Sequence, residues 1–307
     1  MQHFSSLHAA SAKNAWLTIG SFDGLHAGHQ QIIKQITAGA HEQGAPAVVL
    51  TFEPHPAEVL RGPLKGFYLL DPEEKIDIFA SLGVDVLVSH PFDANLRNTT
   101  AEVFIQWVYE RLHIQQLWIG HDFALGHDRQ GNFDALRRFG AQMGFSVHQV
   151  LPVRVDGEVV SSTMVRNALA EGNVSVAERL LGRNYALSGP VVSGAQRGRT
   201  IGIPTANVQV PERRLVPASG VYVTLAWLGG QRLLSVTNIG LRPTFEDGAP
   251  APVVETHILE YEGSEFYGQP LKLEFVSRLR GEQKFAGVDE LVRQIHQDIE
   301  QARSALT

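Results

Sequence analysis

Gly20-Ser21-Phe22-Asp23-Gly24-Leu25-His26-Ala27-Gly28-His29 follows the apolar run Ala15–Ile19 and precedes Gln30–Thr37, whose pattern is helical. A strand, a glycine-rich turn and a helix start, in that order, gather unpaired backbone N–H groups and the positive end of a helix dipole at one point. Such a point suits phosphate. Gly20, Gly24 and Gly28 permit a sharp turn and a close approach of backbone to ligand. His26 and His29 are three residues apart, so on a helix both rings face the same way. The stretch is neither a G-x-G-x-x-G fingerprint nor a Walker A loop, because no G-K-[ST] follows. The residues alone leave three readings. The turn is a phosphate cradle, or His26, His29 and Asp23 join a further ligand around a metal, or all are surface residues at a helix start.

Outward from this turn the chain alternates. Strands are expected at Trp16–Gly20, Ala47–Phe52, Val84–Ser89, Leu117–Gly120 and Ser146–Val150. Between them helical patterns occupy Gln30–Ala40, Pro72–Leu82, Thr100–Leu112 and Asn132–Gly144. Near-continuous apolar strands separated by amphipathic helices make a doubly wound parallel sheet covered on both faces, a Rossmann-like α/β domain. Ligands of such sheets bind beyond the carboxyl ends of the strands. There lie Thr51-Phe52-Glu53-Pro54-His55-Pro56 and Gly120-His121-Asp122-Phe123-Ala124-Leu125-Gly126. Each is either an ordinary turn with a packed aromatic or one wall of a pocket for a flat ring system. Asp156-Gly157 reads as a hairpin turn leading to Ser161-Ser162-Thr163-Met164-Val165-Arg166. Ser161 or Ser162 would cap a helix over Thr163–Glu171, and Arg166, one turn in, could reach phosphate oxygens near the exposed N–H groups.

After Leu181-Gly182-Arg183-Asn184 the texture changes, which divides the chain into domains 1–183 and 184–307. Short strands at Tyr185–Ser193, Val221–Trp227, Leu233–Ile239, Val253–Leu259 and Leu271–Arg280 imply an antiparallel β-barrel or sandwich. A closing helix over Val288–Leu306 presents Val288, Leu291, Val292, Ile295, Ile299, Ala302 and Leu306 on one apolar face, expected to pack on that barrel. Within this half, Gly198 and Gly202 bracket an exposed loop, and Pro204 stiffens the entry to Thr205 and Asn207. Two residues apart, Thr205 and Asn207 would share one face of a strand and one hard cation, or else belong to a locally bonded turn. Residues 213–218 and 245–252 read as loops that close over ligand.

Composition narrows the function classes. At 307 residues two domains with their own cores are expected. Lys+Arg 26 against Asp+Glu 32 gives a net charge of −6, which argues against a nucleic-acid partner. The chain has no cysteine, so thiol catalysis and disulfides are excluded. Met1–Lys13 is too polar for a signal peptide, and no apolar stretch is long enough to span a membrane, so a cytoplasmic enzyme is expected.

The H-x-G-H after a strand resembles the signature of the nucleotidyltransferase superfamily. GSFDGLHAGH, TFEPHP, IGHDFALG and VSSTMVR, in this order, resemble the FMN adenylyltransferase half of bacterial bifunctional riboflavin kinase/FAD synthetases. Gly198-Arg199-x-x-Gly202-x-Pro204-Thr205-Ala206-Asn207, Gly220-Val221-Tyr222, Asn238–Phe245, Val254-Glu255-Thr256-His257, Phe266-Tyr267-Gly268 and Leu279–Phe285 resemble riboflavin kinase. The resemblance runs from Trp16 to Arg303 and implies two reactions without a covalent enzyme intermediate. Riboflavin and ATP give FMN and ADP; FMN and ATP then give FAD and pyrophosphate. It implies an adenylyl-transfer site with His26, His29 and Arg166 at the reacting phosphate and Gly20, Phe22, Gly24, Ser162 and Thr163 around ATP. Phe52, Pro54, His55, Asp122 and Phe123 would hold the flavin, while Asp23 steadies the turn. In the kinase half the resemblance makes Glu255 the general base, Gly202, Pro204, Thr205 and Asn207 ATP contacts, and Thr205 and Asn207 the residues that share Mg²⁺ with the phosphates. The partners implied are the small molecules riboflavin, FMN and ATP. Ser21, where the family usually has asparagine, and His121, ahead of Asp122, depart from the pattern.

Overall fold

A computed structural model describes residues 1–194, 198, 201–243, 250–261, 263 and 266–305. The chain folds as two compact units, Met1–Leu64 with Leu70–Ser162, and Lys65–Leu69 with the residues from Thr163 on. This division falls earlier than the change of texture at Gly182-Arg183.

In chain order the first unit holds β1 (Gln2–Phe4), β2 (Trp16–Ile19), α1 (Ala27–Glu42), β3 (Ala47–Glu53), α2 (Pro56–Arg61), α3 (Pro72–Ser81) and β4 (Val86–Pro91). There follow α4 (Ala94–Arg97), α5 (Ala101–Leu112), β5 (Gln116–Gly120), α6 (Phe133–Met143), β6 (Ser146–Val150) and a hairpin of β7 (Arg154–Val155) and β8 (Glu158–Val159). The first six strands form one sheet in the order β1-β4-β3-β2-β5-β6, every pair parallel. The expected doubly wound sheet is therefore present, with one strand added. Gln2–Phe4 is too short and polar to read as a strand, yet it pairs with Val86–Val88 at the edge.

Both sheet faces are dry, as the apolar strands require. On one face Leu17, Ile19, Val48 and Leu50 pack with Phe104, Ile105, Val108 and Leu112 of α5. On the other Val49 and Leu87 meet Leu25, Ile33 and Phe79. Each such side chain contributes about 1.5–3 kcal/mol by leaving water. Helix ends follow local chemistry. Thr100 Oγ1 accepts from Val103 N at 3.4 Å and Asn132 Oδ1 from Ala135 N at 3.0 Å, and Gly144 ends α6 at φ 91°. The order of the sheet reverses beside β2, with β3 and β4 to one side and β5 and β6 to the other. A crevice at the carboxyl end of β2 is the expected consequence.

The second unit begins with α7 (Ser162–Ala170, less its first residue) and α8 (Val174–Leu181), then β9 (Tyr185–Val192), β10 (Ala206–Val208), β11 (Gly220–Leu228), β12 (Gln231–Pro243), β13 (Pro250–Ile258), β14 (Pro270–Arg280) and α9 (Val288–Ser304). Its six strands close into an antiparallel barrel, β10-β13-β12-β11-β14-β9. Of the two architectures open from sequence, the barrel is realised. A chain of buried hydroxyls runs beside buried apolar side chains such as Tyr222 and Phe275. Thr224 Oγ1 lies 2.7 Å from Ser235 Oγ and 2.6 Å from Thr237 Oγ1, which donates to Thr256 Oγ1 at 2.9 Å.

The closing helix packs on the barrel, but not through the whole of its apolar face. Ala302 is fully buried and Ile299 partly so, whereas Val288 is 59% exposed; Leu306 lies outside the described residues. The anchor is polar. Asp298, 2% exposed, receives Arg280 Nε at 3.0 Å and its terminal nitrogen at 2.8 Å. A fork-to-carboxylate pair of this geometry is strongly directional. Asp298→Ala would leave the Arg280 charge unpaired, and about 3–5 kcal/mol of stability should be lost, read as a lowered denaturation midpoint of the second unit. Residues 213–218, expected as a mobile loop, are laced down. Arg214, 1% exposed, donates to Ala186 O at 2.6 Å, and Leu215 N and Ala218 N donate to Tyr68 O and Leu169 O at 3.0 and 2.9 Å. Of 245–252, residues 245–249 lie outside the described residues and 250–252 belong to β13.

Candidate active sites

The turn Gly20–His29 leaves the carboxyl end of β2 at the reversal of strand order. Three of its residues have left-handed backbone: Phe22 (φ 49°), Gly24 (φ 78°) and Leu25 (φ 43°). Leu25 and Phe22 accept this conformation because each buries its side chain, at 0% and 2% exposure. Gly20 is needed for close approach, since a Cβ there would lie 3.0 Å from the Phe22 ring. Phe22 in turn stands edge-on to His29, with centroids 5.1 Å apart, and edge-on to Phe79 at 5.6 Å. It braces the histidine from the core.

His26 and His29 do face the same way. Their rings stack at 3.7 Å with planes 21° apart. His26 is also the N-cap of α1, its Nδ1 accepting from His29 N at 3.4 Å. That bond places the His26 proton on Nε2. His29 Nδ1 is buried without a hydrogen-bond partner in the described structure, an uncommon arrangement in a folded protein. Burial first, then the neighbouring His26 and Lys75, hold the His29 pKa well below the ordinary histidine value. Ser162 does not cap its own helix. Its hydroxyl donates to Asp23 O at 2.8 Å, within the first unit.

These groups line a cavity of about 550 Å³ in the first unit. Gly20, Phe22, His26, His29 and Ser162 lie on its walls, as do Phe52, His55, Asp122 and Phe123. Nine sequence-selected residues thus share one space, as the strand-end rule demands. Phe52 stands edge-on to Phe92 at 5.6 Å and tilted to Phe104 at 6.2 Å, so the wall is a cluster of aromatics. Leu60 and Leu151 are cavity-lining leucines exposed by 53% and 80%. His55 caps α2, accepting from Ala57 N at 3.1 Å, and Pro54 follows a cis Glu53-Pro54 bond one residue outside the lining. Gly24 is buried within the turn. Thr163 and Arg166 belong to the second unit. There Arg166 Nε donates to Phe67 O at 3.0 Å and its guanidinium lies 3.8 Å over the Phe67 ring.

Sequence reading missed Phe92 and Phe104. Phe92 directly follows β4, so the strand-end rule already pointed to it. Phe104 was masked by its place among the apolar residues of α5.

In the barrel, register brings the second group together. Glu255 on β13 lies directly opposite Asn207 of β10 on one side and Asn238 of β12 on the other. Cross-strand neighbours have Cβ atoms roughly 4.5–5.5 Å apart, so the three polar side chains form a row across three strands. Asn207 is only 9% exposed, and Gly194 is required beside it: a Cβ there would fall 2.1 Å from its amide nitrogen. Thr205 lies one residue before β10 and is exposed, as are Gly202 (φ 76°) and Pro204. Of the pair expected to share a strand face, only Asn207 lies in a strand. His257 Nδ1 donates to Pro204 O at 2.8 Å and fixes this entry to β13. Arg199 lies outside the described residues. Among the described residues no cluster of three His, Cys, Asp or Glu forms a protein-only metal cage. Hydroxyl, amide and carboxylate oxygens are hard donors that fit Mg²⁺ shared with phosphate.

Residues 8–164 match the family described as FAD synthetase and residues 181–306 the one described as riboflavin kinase. A bifunctional riboflavin kinase/FMN adenylyltransferase of Pseudomonas fluorescens is 40% identical over 94% of this chain and 91% of its own length. The Escherichia coli K12 protein of the same description is 37% identical over 95% and 93%. A solved structure described as a macrolide-efflux protein from Streptococcus pneumoniae superposes with a TM-score of 0.89 at 30% identity, covering 98% of each chain. In this chain, among the described residues, no helix is long and apolar enough to cross a membrane.

Proposed function

The chain belongs to the bifunctional riboflavin kinase/FMN adenylyltransferase family, and from that premise we propose that FAD forms in the cavity at the end of β2 and FMN beside the Asn207–Glu255–Asn238 row. The enzyme phosphorylates riboflavin with ATP and transfers AMP from ATP to FMN. The observation that carries the site assignment is the convergence of the stacked histidines and the aromatic wall on one cavity.

In adenylyl transfer an oxygen of the FMN phosphate attacks the α-phosphorus of ATP, and the bond to pyrophosphate breaks. Negative charge builds on the α-phosphate oxygens as it does so. Fixed donors aimed there stabilise that charge without reorganising. His26, with its proton on Nε2, and His29 are those donors, backed by the N-terminus of α1. Burial, with His26 and Lys75 beside it, keeps the His29 pKa low, so its ring serves as a neutral donor next to His26. Phe52, Phe92, Phe104 and Phe123 stack on or border the isoalloxazine and keep water from the acceptor phosphate.

In the kinase reaction Glu255 takes the proton of the ribityl 5′-hydroxyl as its oxygen attacks the γ-phosphorus and ADP leaves. Thr205 and Asn207 would hold Mg²⁺, which supplies charge neutralisation across the phosphates. Asn207 and Asn238 stand directly across from Glu255 on the two neighbouring strands. We assign residues 1–183 to adenylyl transfer, 184–307 to the kinase, and the enzyme to the cytoplasm, where ATP is made and used.

Phe52→Ala tests the flavin wall. Loss of one aromatic contact of about 0.5–1.5 kcal/mol, with its buried area, should raise the KM for FMN in FAD formation about tenfold. FMN formation from riboflavin should not change. An unaltered KM for FMN would remove the flavin from this wall.

A further inference from the structure

One cation beneath the first site has no part in the chemistry above. Lys75 of α3 directs its ammonium under the glycine turn, donating to Ser21 O at 2.7 Å and to Thr51 Oγ1 at 2.7 Å. Thr51 Oγ1 itself donates to Ser21 O at 3.1 Å. Ser21 opens the turn that carries His26 and His29; Thr51 is the buried residue of β3 just ahead of Phe52. Three elements therefore meet on one nitrogen: the phosphate turn, the strand that ends in the flavin wall, and α3. A lysine ammonium is seldom enclosed in this way without a carboxylate bound to it. Here its two short bonds go to a main-chain carbonyl and a hydroxyl, which do not neutralise its charge.

We propose that Lys75 is a positioning residue for adenylyl transfer: it clamps the Ser21 carbonyl to the end of β3 and keeps a positive charge behind the turn as negative charge grows on phosphate in front. The inference rests on assigning the β2 cavity to FAD formation.

The charge is also titratable in a useful range. Burial lowers the Lys75 pKa to about 8, against the opposing pull of Asp23 from the turn and Glu53 from β3. From α1, His29 faces it and is itself held low in part by Lys75, with His26 stacked behind. Raising the pH through about 8 therefore discharges the ammonium in the free enzyme. The pH dependence of kcat/KM reports free-enzyme ionisations. FAD formation from FMN should lose kcat/KM above that pH, while FMN formation in the other unit keeps its own profile.

The test is the pH profile of kcat/KM for ATP in FAD formation, measured on the full-length enzyme, Lys75→Met and Lys75→Arg, with riboflavin phosphorylation recorded in parallel. Lys75→Met should lose about 10²-fold, the scale of removing one preorganised charge-stabilising group, and should show no alkaline limb near 8. Lys75→Arg should recover most of that loss and carry its limb far higher, because guanidinium stays charged past pH 12 or so. A flat wild-type profile between pH 7 and about 9.5 would overturn the proposal without any variant. So would a Lys75→Met enzyme with wild-type kcat/KM, or a Lys75→Arg enzyme that keeps the limb near 8. Failure of the underlying assignment looks different: His26→Asn/His29→Asn would still make FAD at the wild-type rate.

Discussion

Glu255→Gln should lower riboflavin phosphorylation by about 10³-fold, within the 10²–10⁴ range that a positioned general base contributes. Glutamine keeps the length, the strand register and the hydrogen bonds available to Asn207 and Asn238, but it accepts no proton from the ribityl hydroxyl. The KM for riboflavin should therefore stay within about threefold, since an interaction made only in the transition state is lost from kcat. FAD formation from supplied FMN should be untouched, because Glu255 belongs to the barrel. Separate assays fed with riboflavin and with FMN check both statements. A wild-type rate of FMN formation would move the base elsewhere. Glu282 would be the next residue to examine, as its carboxylate reaches within 2.9 Å of where a Cβ on Gly240 of β12 would lie.

The second large effect belongs to the histidine pair. His29→Asn should lower FAD formation by about 10²–10³-fold, the cost of removing one donor from a preorganised anion site. His26 needs more care, because its Nδ1 also caps α1. His26→Ala would add about 1 kcal/mol of lost stability to the lost chemistry. Asn is a good N-cap, so His26→Asn separates the two. Both variants should phosphorylate riboflavin normally.

His29 also predicts an acid effect on stability. Its folded pKa lies well below 6.5, so on acidification the unfolded chain takes up a proton that the native site refuses. This contribution is present above the unfolded pKa and is lost as pH falls through and below it. The first unit should lose stability in that window, and His29→Asn should lose less. Matching midpoint shifts for wild type and variant would contradict the assigned burial of the ring.

The readable features were those written in local pattern. Ser146–Val150 coincides with its expected bounds because apolar residues and turn signals agree there. The cavity residues other than Ser162 followed from one rule, that ligands meet the carboxyl ends of parallel strands. What escaped the sequence depended on distant partners. Gln2–Phe4 becomes a strand only because β4 offers an edge. Lys75 sits in Glu73-Glu74-Lys75, which reads as a solvated helix face, and only the fold brings Ser21 O over its ammonium. Ser162 looked like a cap and proves to be a tie to Asp23, a contact across 139 residues. The apolar stripe of the closing helix overstated its burial, since Asp298 is covered while Val288 is not. Thr205 lies just outside a strand of three residues, too short for period-two reasoning to fix its direction.

The most direct test of the whole account is a product time course with one enzyme preparation, riboflavin, excess ATP and Mg²⁺, resolving FMN from FAD. FMN should rise first and then convert to FAD, Glu255→Gln should block the first step, and His29→Asn should let FMN accumulate. FMN accumulating in the wild type, or FAD still forming at the normal rate in His29→Asn, would contradict the assignment of adenylyl transfer to the turn after β2.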